Sequence, residues 1–234
     1  MTDKVGISPR ALARIAGALY ILVIIIGAYV EVGIRGPATA ANLHAMEWLW
    51  RAGIGLEVFL GLICVPITMI LYVLLCPVSK PLVLMATFFN LLGIAIEAAM
   101  CMYLFEAMLP LRTSAYLSAF APEQLNAVAR LALEEHTYGY AVALIFFACY
   151  QITIGVVIFK SGYMPKLVGV LMQIGGLGYL VNNFAVIVYP SITSWLFPVS
   201  AVPALLGELS LALFLLFEGV HLEKYRARVA LQAA

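Results

Sequence analysis

Charged side chains are scarce in this sequence. They make up 11% of 234 residues, against 65% that are hydrophobic. Soluble domains carry about a quarter charged and about half apolar residues. The scarcity excludes a soluble globule, because a chain of this length cannot hide so much apolar surface in its own core. Lipid must cover the excess. Neither sign of charge dominates: a formal net charge of +1 supplies no basic patch for nucleic acid. Cysteine is sparse and unpatterned. Cys64, Cys76, Cys101 and Cys149 form no CxxC pair and lie in or beside apolar runs. They read as small hydrophobes rather than as a disulfide framework or a zinc site. HExxH and paired-histidine spacings are missing too, so neither a metal nor a cofactor is expected.

What the chain does have is long apolar runs. Six are long enough to span, near 11–33, 51–75, 82–109, 136–159, 167–189 and 199–221. Hydrocarbon offers no hydrogen bonds, so each run must satisfy its own backbone as a helix. The breaks between them are turn chemistry: Gly36-Pro37, Cys76-Pro77 with Lys80-Pro81, Pro110, Ser161-Gly162 with Pro165, and Pro190 with Pro198. The first run follows Lys4, Arg10 and Arg14 as a signal peptide would. It is nonetheless of full spanning length, about 20 residues, and shows no A-x-A cleavage site, so it reads as a retained helix. The expected fold is all-α: a polytopic transmembrane helix bundle forming one domain over 1–234, with the lipid bilayer as its partner.

Basic residues set the orientation. An even number of spans leaves both termini on one side, with Lys4, Arg10, Arg14, Lys80, Lys160, Lys166, Lys224, Arg226 and Arg228. Arg35, Arg51, Arg112 and Arg130 fall on the other. The excess predicts that both termini are cytoplasmic. Trp48, Trp50 and Trp195 then reach the outer interface, a common place for indole rings. The stretch from Pro122 to Glu135 carries Leu125, Val128, Ala129 and Ala132 on one face. It predicts an amphipathic helix on the outer surface that feeds the fourth span, as a plain interfacial helix or as a lid over an outward cavity.

The informative residues are polar ones inside the runs. A charge near the bilayer centre costs about 3 kcal/mol on insertion scales and normally faces the bundle interior or water. Helical spacing places Tyr20, Gly27 and Glu31 on one stripe of span one, and Glu57, Gly61, Cys64 and Thr68 on one stripe of span two. Span three contributes Asn90, Gly93, Glu97 and Cys101. Span four contributes His136, Tyr140 and Tyr150, span five Gln173, Asn182 and Asn183, and span six Glu208. Helix packing explains the small residues well. It explains Glu57, Glu97 and Glu208 poorly, since each is ionisable and lies several residues from a span end. At about 1.5 Å per residue, most of these groups share the outer half. The pattern predicts an outward-facing polar pocket lined by Glu57, Glu97, His136, Asn182, Asn183 and Glu208. Arg51 would neutralise one carboxylate at its rim. The alternative arrangement is a closed, buried polar network.

Three activities fit such a site: binding or transport of a small molecule or ion, intramembrane catalysis with a carboxylate as acid or base, and an accessory role without a ligand. Other motifs carry little. Gly175-Gly176-Leu177-Gly178 follows no strand, and Glu134-Glu135 lacks the arginine of an EExxxR pattern. His44 and His221 are predicted near opposite faces, too far apart to share a haem.

The wording of the chain adds a resemblance. The segment from Ile145 to Tyr189 contains FKSGYMPKLVGVL and GLGYLV, the last run contains PALLGELSLALFLLFEGV (Pro203 to Val220), and the first contains ARIAGALYILVIIIG (Ala13 to Gly27). In combination these resemble the bacterial membrane family of domain of unknown function 4386. The resemblance implies six or seven membrane helices and a bacterial inner-membrane location, and it brings no activity with it. It also implies an acidic residue at the position of Asn182 and a histidine at that of Tyr150. This chain departs at both, so chemistry needing those two groups does not carry over.

Overall fold

A computed structural model describes residues 6–36, 43, 45–112 and 114–233. Lys4, Pro37 and His44 lie outside the described residues. Among the described residues, six helices are long and apolar enough to cross a membrane. They are α1 (Pro9–Ala28, continued by a π-helical turn, Tyr29–Arg35), α2 (Glu47–Leu75), α3 (Lys80–Glu106), α4 (Pro122–Ser161), α5 (Lys166–Val188) and α6 (Thr193–Leu213, continued by a π-helical turn, Phe214–Glu218). A shorter helix, α7 (Leu222–Ala233), follows them. No strand occurs among the described residues.

Local chemistry fixes the helix ends. Ser8 Oγ accepts from Ala11 N–H at 3.2 Å, and Pro9 occupies the first turn of α1, where its missing N–H is no loss. Gln124 reaches back to the Ala121 N–H at 2.8 Å beside Pro122. Gly162 ends α4 at φ +78°, a left-handed conformation that a Cβ would disfavour. Successive helices pack antiparallel around a ring, and α6 closes it against α1. We call the end that holds Pro9, Leu75 and Ser161 the base, and the end that holds Arg35, Glu47 and Val188 the crown.

The two halves of the ring differ. Near the base the interior is packed with Ile67, Leu71, Leu74, Ile154, Ile158 and Leu215, all essentially buried. Close helix contact makes this possible. A methyl on Gly155 or Gly169 would lie 2.7 Å from the other residue's carbonyl oxygen, so α4 and α5 meet backbone to backbone. Tyr163, fully buried in the α4–α5 turn, donates its hydroxyl to the Leu74 carbonyl at 2.6 Å and meets Tyr225 of α7 edge-on at 5.3 Å. Burial pushes the Tyr163 phenol well above its ordinary range, which keeps it a donor. Arg10 and Arg14 donate to the Glu218 and Phe217 carbonyls at 3.3 and 3.4 Å, satisfying the C-terminal end of the sixth span. Toward the crown a smaller apolar cluster of Val30, Ile34, Trp50, Ile54, Leu104 and Met108 joins α1, α2 and α3.

Four expectations change. The Pro122–Glu135 stretch is not a separate surface helix. It is the first third of α4, whose 40 residues extend about 60 Å, twice the hydrocarbon thickness. Its apolar face packs inward through Ala129 and Ala132, and nothing between Glu135 and His136 breaks the helix. Span six begins near Thr193 rather than Val199, because Pro198 lies inside the helix instead of ending it. Trp50 does not face the membrane interface. It is buried and donates Nε1–H to the Leu104 carbonyl at 3.0 Å, whereas Trp48 and Trp195 are exposed. Finally, α7 was not anticipated. It is short and polar, and Tyr225 and an Arg228 Nε–H bond to the Pro77 carbonyl (3.3 Å) hold it to the base.

Candidate functional site

Between the packed base and the crown cluster lies a cavity of about 380 Å³. Every one of the six spans contributes to its wall. The wall begins with α1, which supplies Tyr20, Ile24 and Gly27, followed by Glu31 in the π-helical turn. Next, α2 adds Glu57 and Cys64, and α3 adds Asn90 and Glu97. The long α4 presents Tyr140, Phe147, Tyr150 and Gln151 at helical spacing. Tyr179 comes from α5, and Phe197, Ala201 and Glu208 come from α6.

The cavity exists because α1 and α6 meet closely only near the base. There, Gly17 lets the Ala212 carbonyl approach to 2.8 Å of where a Cβ would stand. The same antiparallel register brings Ile24 opposite Leu205 and Glu31 opposite Phe197, and these four residues line the cavity. Pro198 and Pro203 lie in this half of α6, and each removes one backbone hydrogen bond from it.

Polar contacts around the wall divide into two groups. In the first, Arg35 is the hub. Its guanidinium pairs with Glu57 across the α1–α2 seam and with Glu31 one turn back, and it stands 5.4 Å from the centroid of the Tyr140 ring. Glu57 also accepts a weak contact from Cys101 Sγ at 3.5 Å. In the second group, Gln151 Nε2 donates to Glu208 across the bundle from α4 to α6. Gln151 is 1% exposed, and its Oε1 has no hydrogen-bond partner among the described residues. Glu97 makes no side-chain hydrogen bond or ion pair among those residues either. Asn90 is engaged: it donates to Thr68 Oγ1 at 2.6 Å, which donates to the Cys64 carbonyl at 2.7 Å.

Of the residues singled out from sequence, the cavity brings together Glu57, Glu97 and Glu208. His136 is buried one turn from it and stacks on Tyr140 at 5.9 Å, backing the wall rather than forming it. Asn182 and Asn183 are buried outside the wall. Asn183 donates to the Tyr179 carbonyl at 2.8 Å, and Asn182 Oδ1 is unpartnered among the described residues. Arg51 does not neutralise a pocket carboxylate. It is half-exposed and pairs with Glu47 at 2.9 Å. Six residues on one helix turn through about 600°, so Arg51 and Glu57 lie on different faces of α2. Arg35 takes that role from a neighbouring helix. Sequence reasoning also missed Gln151, although its spacing from Tyr140, Leu144 and Phe147 marks one face.

A family model described as Domain of unknown function (DUF4386) matches residues 15–219. The chain belongs to this family. The match runs from α1 to the end of the sixth span, so the family unit is the ring itself, cavity included, while α7 lies beyond it. No curated protein and no solved structure matches the chain. Within the matched residues, the chain's FKSGYMPKLVGVL segment carries Tyr163 and Gly169, which tie the base together. The chain's GELSLAL segment, also within the match, places Glu208 in the cavity wall.

Proposed function

We propose that this protein binds a small molecule in the crown-half cavity, and that the cavity opens to the outside of a bacterial inner membrane, with both chain termini in the cytoplasm. One observation carries the reading. A ring packed solid at its base leaves about 380 Å³ unfilled in its other half, and spends its membrane-embedded carboxylates on that wall. Groups so costly to place in hydrocarbon are normally kept for substrate or ion pathways. The volume falls in the range of small-molecule sites, about 300–1,000 Å³, and an aromatic wall with a few converging polar groups is their usual lining. The basic residues at the base, Arg10, Arg14, Lys80, Lys160 and Lys166, support the orientation.

The test is a thermostability screen of the protein in lipid nanodiscs against small molecules. A Cβ at Gly27 would meet only Leu60 Cδ1, at 3.8 Å, so Gly27→Phe fills the cavity without a backbone clash. Binding molecules raise the melting temperature of the wild type and leave that of Gly27→Phe unchanged. No hits, or hits that stabilise both proteins equally, would reject the proposal. A reporter fused to the C-terminus that is active only in the periplasm would reject the orientation.

A further inference from the structure

The cavity also indicates which class of molecule it accepts; this inference rests on the binding proposal above. Four carboxylates line the wall: Glu31, Glu57, Glu97 and Glu208. The nearby guanidinium of Arg35 is already engaged by Glu31 and Glu57. Arg35 reaches Glu97 only at longer range, and neither Glu97 nor Glu208 forms an ion pair among the described residues. The acceptor surplus extends to a neutral group. Gln151 is essentially fully buried at the cavity wall, gives its amide N–H to Glu208, and leaves Oε1 without a donor. A buried acceptor left bare costs about 1–3 kcal/mol, so such a group normally has a partner in the working state of the protein. Turning the amide the other way would set its oxygen against the Glu208 carboxylate, acceptor against acceptor, so the N–H faces Glu208 and the oxygen is the bare group.

Three kinds of ligand can be weighed against this wall. An anion would meet unpaired carboxylates. A bare metal ion needs a tight set of about six oxygens. Among the described residues no group of three or more metal-ligating His, Cys, Asp or Glu side chains forms, and most of the wall is ring and aliphatic surface. A cation with an apolar body fits both features. Its N–H groups supply donors to Glu208 and Gln151, and the faces of Tyr20, Tyr150 and Tyr179 attract its charge. We propose that the ligand is an organic cation: a protonated amine on an apolar or aromatic body, held with its charged end between Glu208 and Gln151.

The experiment uses one carbon skeleton with three end groups, 4-phenylbutylamine, 4-phenylbutan-1-ol and 4-phenylbutyrate. Each is titrated calorimetrically into the full-length protein in neutral-lipid nanodiscs at pH 7, with empty nanodiscs as the blank. The amine is expected to bind at least tenfold more tightly than the alcohol, with the carboxylate weakest. Glu208→Gln should weaken the amine about tenfold, the equivalent of one charge-assisted hydrogen bond, and leave the alcohol unchanged. If that variant fails to fold, the wild-type ranking still decides. An alcohol or carboxylate that binds as well as the amine overturns the cation assignment, and the cavity reading survives if Gly27→Phe abolishes that binding. Failure of all three probes also overturns the cation assignment. The thermostability screen then decides separately whether the cavity binds anything.

Discussion

Arg35 and Glu57 form an ion pair that joins α1 to α2 inside the bundle, with the Glu57 side chain only 4% exposed. Arg35 comes from the π-helical turn that ends the first span, and it also holds Glu31. Removing one partner of such a pair leaves a buried charge uncompensated, which costs far more than the pair is worth against apolar replacements. Arg35→Ala should lower stability by about 3 kcal/mol. The double variant Arg35→Met with Glu57→Leu should recover most of that loss. Arg51→Ala is the control, because Arg51 and Glu47 are half-exposed and pairs open to solvent contribute at most about 1 kcal/mol. Reversible denaturation in mixed micelles measures all three.

Two glycines of α1 should respond in opposite ways. Gly17 faces the Leu216 backbone so closely that no side chain fits, and Gly27 faces open cavity. Gly17→Leu should therefore prise α1 from α6 and cost about 3 kcal/mol or more, as overpacking against backbone does at its upper end. Gly27→Leu should be neutral or stabilising, since it adds contacts in unfilled space. The melting temperatures of the two variants check this, and equal losses would contradict the description of the α1–α6 seam.

Tyr163 locks the base. Tyr163→Phe removes the bond to the Leu74 carbonyl and leaves a buried acceptor bare, a loss of about 1–3 kcal/mol. Tyr163→Ala also removes the ring that holds Tyr225, so α7 should detach. Hydrogen exchange of residues 222–231 reads this directly. Faster exchange is expected in Tyr163→Ala, while the amides of α3 should be unaffected.

Much of the fold was legible because hydrocarbon imposes one backbone solution on every long apolar run. Gly162 and the turn at Cys76-Pro77 marked helix ends correctly. Proline misled at Pro198, since a helix packed among neighbours tolerates a residue that would end an isolated one. Glu57, Glu97 and Glu208 were legible as inward-facing from the cost of placing charge in oil. Their partners were harder to find, because the pairing of Arg35 with Glu57 and of Gln151 with Glu208 joins residues on different helices. Helical spacing ranks the faces of one helix and carries no information about rotation between two. It could have excluded Arg51, whose distance from Glu57 along α2 puts it on another face. Asn182 and Asn183 resembled the other polar groups in depth, but α5 gives its cavity face to Tyr179.

Thiol reactivity in a cysteine-free background tests the central claim most directly, because methanethiosulfonate reagents attack thiolates, and thiolates form only in water. Ile24→Cys and Ala201→Cys border the cavity, Ile154→Cys and Leu74→Cys lie in the packed base, and Val65→Cys faces the surrounding lipid. With a charged reagent on nanodisc-embedded protein, the first two should label and the other three should stay unmodified. Protection of Ile24→Cys and Ala201→Cys equal to that of Ile154→Cys would mean that the crown half is as dry as the base, and the account of a ligand cavity would be wrong.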